Sequence, residues 1–230
     1  MGKQAYFSKG ELILWGASVG MILVSFFLVG GGSGLTLAAS LVGACALIFN
    51  AKGNPLGQAL TVVFSLLYGV ISWSFAYYGE MVTYLGMTMP MAVAALVAWL
   101  RNPYQGDRAQ VKVGKLRGWE YWLLPLLTGL VTWGFYYILR YFHTANLLPS
   151  TISVTTSFLA VYLTFRRSPF FALAYAANDI VLIVLWVLAA WEDAGYWSVA
   201  VCFGMFLVND LYGFFNWNRM KRRQEEKGRG

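Results

Sequence analysis

The sequence predicts an all-α integral membrane protein of about eight transmembrane helices, and three observations carry that reading. Of 230 residues, 59% are hydrophobic and only 12% charged, whereas about a quarter of a soluble domain is charged. The apolar residues are gathered in runs suited to a hydrocarbon core about 30 Å thick. No run alternates as a barrel strand would, so helices are the backbone solution that lipid leaves. The basic residues behind a net charge of +7 sit at the ends of these runs. They read as topology, not as a nucleic-acid surface.

Eight spans are expected at about 12–30, 35–50, 56–78, 81–100, 121–142, 150–165, 170–191 and 195–217. The second and sixth are short for a crossing of about 20 residues. With eight spans, sixteen Lys and Arg fall on one side, from Lys3 to Arg229, and Arg140 alone falls on the other. By the positive-inside rule both termini are then cytoplasmic.

Span 1 follows Lys3 and Lys9 and is too long for a signal peptide. Its Gly16-Ala17-Ser18-Val19-Gly20 matches a nucleophile-elbow pattern, but that motif needs a strand, a turn and a helix. Gly16 and Gly20 read instead as a small-residue packing face. The run Gly30-Gly31-Gly32-Ser33-Gly34 reads as a tight external turn. Cys45 and Cys202 lie inside apolar segments and read as packing residues.

Spans 2 to 4 and 6 to 8 look like two copies of one unit. Lys52-Gly53-Asn54-Pro55 precedes span 3 as Arg166-Arg167-Ser168-Pro169 precedes span 7, with the prolines 114 residues apart. Trp73 and Trp186 then fall at similar positions. Each triple starts outside and ends inside, so the copies are parallel and span 5 links them. The expected organisation is an extra N-terminal helix (1–32), a first three-helix bundle (33–104), a basic loop with the linking helix (105–145), a second bundle (146–218) and a basic cytoplasmic tail (219–230). Parallel repeats of this kind are a known transporter plan with the substrate near the midplane.

Chemistry centres on the last two spans, each of which carries an Asn-Asp pair: Asn178-Asp179 and Asn209-Asp210. A carboxylate at membrane depth is costly unless it meets a partner or a water-filled cavity, so it marks a functional site. A rise of about 1.5 Å per residue puts both pairs at similar heights in an antiparallel helix pair. Holding helices together is the simpler alternative.

Most of the ten tryptophans, Trp99 and Trp217 among them, fall near span ends as an interfacial belt would. Trp73, Trp133 and Trp186 lie deeper. With Tyr212 and Asn216 on the last span, and Gln58, Ser65, Tyr68 and Ser72 on span 3, they offer aromatic faces and hydrogen-bonding groups for a flat polar ligand. Span 4 places Thr88 beside Pro90, where a missing backbone donor disturbs the turn. No span contains a lysine, and no zinc-protease or nucleotide-binding motif is present. A retinal Schiff base, an intramembrane zinc protease and self-powered ATP transport are thereby excluded. No catalytic group, metal or cofactor is expected.

Lys52-Gly53-Asn54, Leu67-Tyr68-Gly69, Tyr78-Gly79-Glu80, Asn178-Asp179 with Trp186, and Asn209-Asp210-Leu211-Tyr212-Gly213 followed by Trp217 together resemble the PnuC-type vitamin transporters. The resemblance covers about 35–220. It implies a three-plus-one-plus-three fold similar to a full-length SWEET sugar transporter, located in a bacterial inner membrane. It implies uptake of nicotinamide riboside, an NAD precursor, by facilitated diffusion, with trapping by a separate cytoplasmic kinase. A tryptophan on the second helix and an asparagine on the third helix of each bundle would face substrate, which maps to Trp73, Trp186 and Asn209.

Span 4 has no core Asn to complete that pattern. Span 1 lies outside the plan, and a homo-oligomer is left open. The full set of expected substrate-binding residues is Gln58, Tyr68, Trp73, Thr88, Asn178, Asp179, Trp186, Asn209, Asp210 and Tyr212. A proton-coupled carrier of thiamine or riboflavin, or a membrane-embedded enzyme or sensor, remain the alternatives.

Overall fold

The computed structural model describes residues 6–29, 33–74, 78–144 and 146–228. Among these, eight helices are long and apolar enough to cross a membrane. They are α1 (Lys9–Val29), α2 (Gly34–Ala51), α3 (Pro55–Ser74), α4 (Tyr78–Leu100), α5 (Glu120–Tyr141), α6 (Leu147–Phe165), α7 (Phe170–Glu192) and α8 (Trp197–Lys227). Side chains such as Ile13, Phe27, Leu28, Trp122 and Leu148 point outward, as lipid-facing residues do.

The boundaries depart from expectation for local reasons. The sixth span begins three residues early, at Leu147, because Pro149 sits within the first turn, where its missing N–H is tolerated. The fourth begins at Tyr78 and draws Glu80 into the helix. Within α4, Tyr84–Thr88 forms a π-helical turn directly before Pro90. Such bulges arise where the regular hydrogen-bond ladder is interrupted, as a proline interrupts it. The glycines 30–32 of the expected external turn lie outside the described residues.

The connector after α4 is not plain loop. It contains a hairpin of β1 (Pro103–Tyr104) and β2 (Asp107–Val111). Gln105 and Gly106, both at positive φ, make its turn, the conformation that two-residue hairpins favour. Val111 N donates to Gly53 O and Gly114 N donates to Arg167 O, each 2.9 Å. Gln224 of α8 closes on the same strand through Val111 and Val113. The hairpin and the residues just after it, to Gly114, therefore fasten together the α2–α3 turn, the α6–α7 turn and the end of α8.

Several contacts recur in the two halves, centred on positions 114 residues apart: Asn50 and Thr164, Lys52 and Arg166, Gly53 and Arg167. Gly53 and Arg167 both adopt positive φ in the turns before Pro55 and Pro169. Lys52 pairs with Glu11 at 3.1 Å, and Arg166 pairs with Glu120 at 2.6 Å, adding a second bond of 2.7 Å. Trp217 Nε1 donates to Asn50 O and Trp99 Nε1 donates to Thr164 O. Both indoles are fully buried. The expectation that Trp99 and Trp217 belong to an interfacial belt is thus corrected: each N–H has a carbonyl partner inside the protein, so neither ring needs the headgroup layer.

The core has two apolar clusters. One, around Trp99, Phe171, Trp217 and Met220, lies toward the basic end. The other, around Tyr68, Tyr84, Trp186, Phe203 and Phe206, lies toward the opposite end. Helix α1 packs on the bundle through Glu11, Ser18 and Ile22, the last within the second cluster. Its Gly16 and Gly20 have no neighbour within 4 Å of a built Cβ, so the expected small-residue packing face is not used within the chain. The packed stripe is the one carrying Ser18, whose hydroxyl meets Asn209.

Candidate functional site

Two residues adjacent on a helix point about 100° apart, and this splits each Asn-Asp pair. On α7, Asn178 turns toward α6, where its Oδ1 accepts bonds from Ser153, Thr156 and Ser157 at 3.2, 2.8 and 3.0 Å. Asp179 turns inward and meets Asp210 of α8 carboxyl to carboxyl. Asp179 Oδ2 has no other partner among the described residues. On α8, Asn209 turns outward, donating to Ser18 of α1 and to Met205 O, each 2.8 Å.

The carboxyl pair borders a cavity of about 70 Å³ between the apolar clusters. Asn178, Thr88, Tyr175 and Asn50 contribute further polar lining, and Phe64, Phe203 and Phe206 close one side. Asn50 is held by α3: Gln58 Nε2 donates to its Oδ1 at 2.8 Å, and its Nδ2 donates to Thr61 at 3.2 Å. That contact needs α2 and α3 to approach closely at Gly57, where a Cβ would collide with the Asn50 side chain and backbone N.

Beyond Phe64, Phe203 and Phe206 lies a second cavity of about 40 Å³, lined also by Tyr68, Trp186, Ser40 and Cys202. The rings between the two form a continuous chain of edge-on and tilted contacts. Tyr68 and Tyr84 centroids are 4.4 Å apart, Phe64 and Phe206 5.8 Å, Tyr68 and Phe203 6.0 Å, and Tyr68 and Trp186 6.3 Å. A third, smaller cavity lies between Trp186, Glu80, Thr144 and Ser150. Ligand sites usually enclose roughly 300–1,000 Å³. The arrangement is therefore a closed one, with a polar chamber and an aromatic chamber separated by three phenyl rings.

Of the ten expected site residues, Thr88, Asn178, Asp179 and Asp210 line the polar chamber, and Tyr68 and Trp186 line the aromatic one. Gln58 stands behind Asn50 as its support. The other three are not brought to either chamber. Trp73 is 62% exposed, Tyr212 donates its hydroxyl to Glu11 at 2.8 Å, and Asn209 faces α1. Trp133, at 64% exposure, is also on the outer surface, and Asn216 donates to Ala51 O.

Asn50, Tyr84, Tyr175 and the three phenylalanines were missed as lining. Asn50 had a signal, being polar at the tip of an apolar run. An aromatic lining cannot be told from lipid-facing aromatics without the packing.

The sequence profile of a family described as "Nicotinamide mononucleotide transporter" matches residues 33–219. A relative in Neisseria mucosa named "Nicotinamide riboside transporter PnuC" is 27% identical over 198 residues, spanning 83% of this chain and 74% of its own. One of the same name in Haemophilus influenzae is 21% identical over 194 residues, spanning 83% and 82%. The solved structure described as "Crystal structure of the Vitamin B3 transporter PnuC" superposes with a TM-score of 0.82 at 22% identity, covering 95% of this chain and 94% of the other. At that identity the likeness is one of fold.

Proposed function

This chain belongs to the nicotinamide mononucleotide transporter family, and from that premise we propose that it carries nicotinamide riboside, not the phosphorylated nucleotide, across a bacterial inner membrane. One observation carries the choice. The three interior chambers have Asp179, Asp210, Asp193 and Glu80 in their walls, and among the described residues no Lys or Arg lines any of them. A phosphate brought there would find carboxyls where it needs cations. A pyridinium ring finds both carboxyls and aromatic faces, the latter worth roughly 0.5 to 2 kcal/mol. Side-chain amides and hydroxyls of Asn50, Asn178 and Thr88 suit a carboxamide and a ribose.

Movement follows from the closed geometry. The recurrence of turns, ion pairs and indole bonds in the two halves supports a parallel repeat with one bundle rocking on the other. Alternating separation of Phe64 from Phe203 and Phe206 joins the two chambers. Facilitated diffusion, with a separate kinase trapping the product, needs no further group on this chain. Both termini then lie in the cytoplasm with the basic end.

The test is uptake into proteoliposomes together with a binding titration against nicotinamide riboside, its mononucleotide, thiamine and riboflavin. Preference for the riboside, recovered unchanged and only to equilibrium, is expected. Preference for the mononucleotide overturns the reading. The contact between Asp179 and Asp210 favours one second reading, proton coupling, because two touching carboxyls repel unless a proton lies between them. Uptake indifferent to a pH gradient removes it.

A further inference from the structure

Glu80 lines the smallest of the three chambers and stands apart from the Asp179–Asp210 pair. It sits in the first turn of α4 and is only 8% exposed. Among the described residues its Oε2 has no hydrogen-bond partner. It has no ion-pair partner either, since the salt bridges are Lys52–Glu11, Lys115–Glu225 and Arg166–Glu120, all at the other end. The N-terminal end of a helix dipole favours an acid, but that holds equally for an exposed one and does not explain burial. Burying a carboxylate without a partner is costly.

What Glu80 faces is a cavity of about 30 Å³ walled by Thr144, Ser150, Leu185, Trp186 and Ala189. Thr144 Oγ1 is a second buried polar atom there without a partner among the described residues. The Trp186 indole is common to this cavity and to the aromatic chamber beyond, and the Tyr68 and Tyr84 phenols lie within electrostatic reach of the carboxyl. A carboxylate, an indole face and a hydroxyl around one space make a receptor for a flat organic cation. Among the described residues no cation of the chain occupies it.

We propose that Glu80, Trp186 and Thr144 form an outer subsite that receives the positively charged ring of the substrate before it passes the Tyr68–Tyr84 layer toward the Asp179–Asp210 chamber. The subsite makes the charged ring, apart from the sugar, a condition of entry. This rests on the riboside reading. Its chemical class is a pyridinium or similar aromatic cation; a neutral ring of the same shape gains nothing from the carboxylate.

Calorimetric titration of the purified protein with nicotinamide riboside and with its reduced, uncharged dihydro form tests this. Glu80→Gln keeps the shape and removes the charge. It is expected to weaken the charged riboside about tenfold, as loss of a desolvated ionic contact does, and to leave the dihydro form within about twofold. Equal affinities of wild type and variant for the charged form overturn the proposal, as do equal losses for both forms. Thr144→Val serves where Glu80→Gln does not fold: a loss of about threefold for the riboside is expected from one removed hydrogen bond, and no change overturns the subsite. Wild-type protein that binds neither form contradicts the riboside reading itself, a result distinct from failure of the variants.

Discussion

The two ends of the molecule are built on opposite principles. At the basic end, Glu11 is gripped by Lys52 and Tyr212, and Glu120 by Arg166 and Tyr162. A hairpin and the residues just after it bond to the turns before α3 and α7 there. At the other end, buried Glu80 and half-buried Thr144 each have a buried side-chain oxygen without a partner, and no ion pair is found among the described residues. The difference teaches which end is held and which is poised: the acids with partners hold helices, and the acids without them face cavities.

Breaking the held end gives the largest effect. Arg166→Ala leaves Glu120, 2% exposed, without its cation, and is expected to destabilise the protein by about 3–5 kcal/mol. Thermal unfolding in detergent measures it. Lys52→Ala is the matching change in the other half, and a loss of similar size is expected if the halves are equivalent. Next comes Gly57→Ala, which forces α2 from α3 at Asn50 and costs about 1–3 kcal/mol, with weaker riboside binding because the polar chamber loses its wall.

Trp186→Ala is expected to weaken riboside binding by about tenfold through loss of an aromatic face, and to lower the melting temperature as well, because the indole belongs to the apolar core. Asn209→Ala, whose amide holds α1 through Ser18, is expected to lower stability by about 1 kcal/mol and leave riboside affinity nearly unchanged. An equal loss of affinity in both would bring Asn209 back into the site. The smallest effect belongs to Trp73→Ala, outward-facing at 62% exposure, where neither binding nor melting changes appreciably.

How legible this was follows the same division. Eight spans could be read because lipid imposes one rule on the whole chain, and the two Asn-Asp pairs stood out because lipid tolerates few such residues. The direction of each side chain was not legible. Asn178 and Asp179 are neighbours in sequence yet serve α6 and the chamber respectively. That depends on helix rotation, which no residue type encodes.

Trp99 and Trp217 resembled interfacial residues because a buried indole with a carbonyl partner and a headgroup indole share the same place near a helix end. The hairpin escaped notice because five residues, Asp107–Val111, are too few for alternation to register. Its Gln105-Gly106 turn lacks the usual Asn-Gly signal.

The central claim is that the path runs between the halves past Asp179 and Asp210, with Asn178 on its wall and Asn209 off it. Thiol labelling tests this most directly, in a chain with Cys45 and Cys202 replaced by alanine and carrying either Asn178→Cys or Asn209→Cys. The account predicts that position 178 reacts with a small water-soluble reagent during transport and is protected by nicotinamide riboside, while labelling at 209 is unaffected by it. A position 178 sealed from water in every condition, or protected no better than 209, would contradict it.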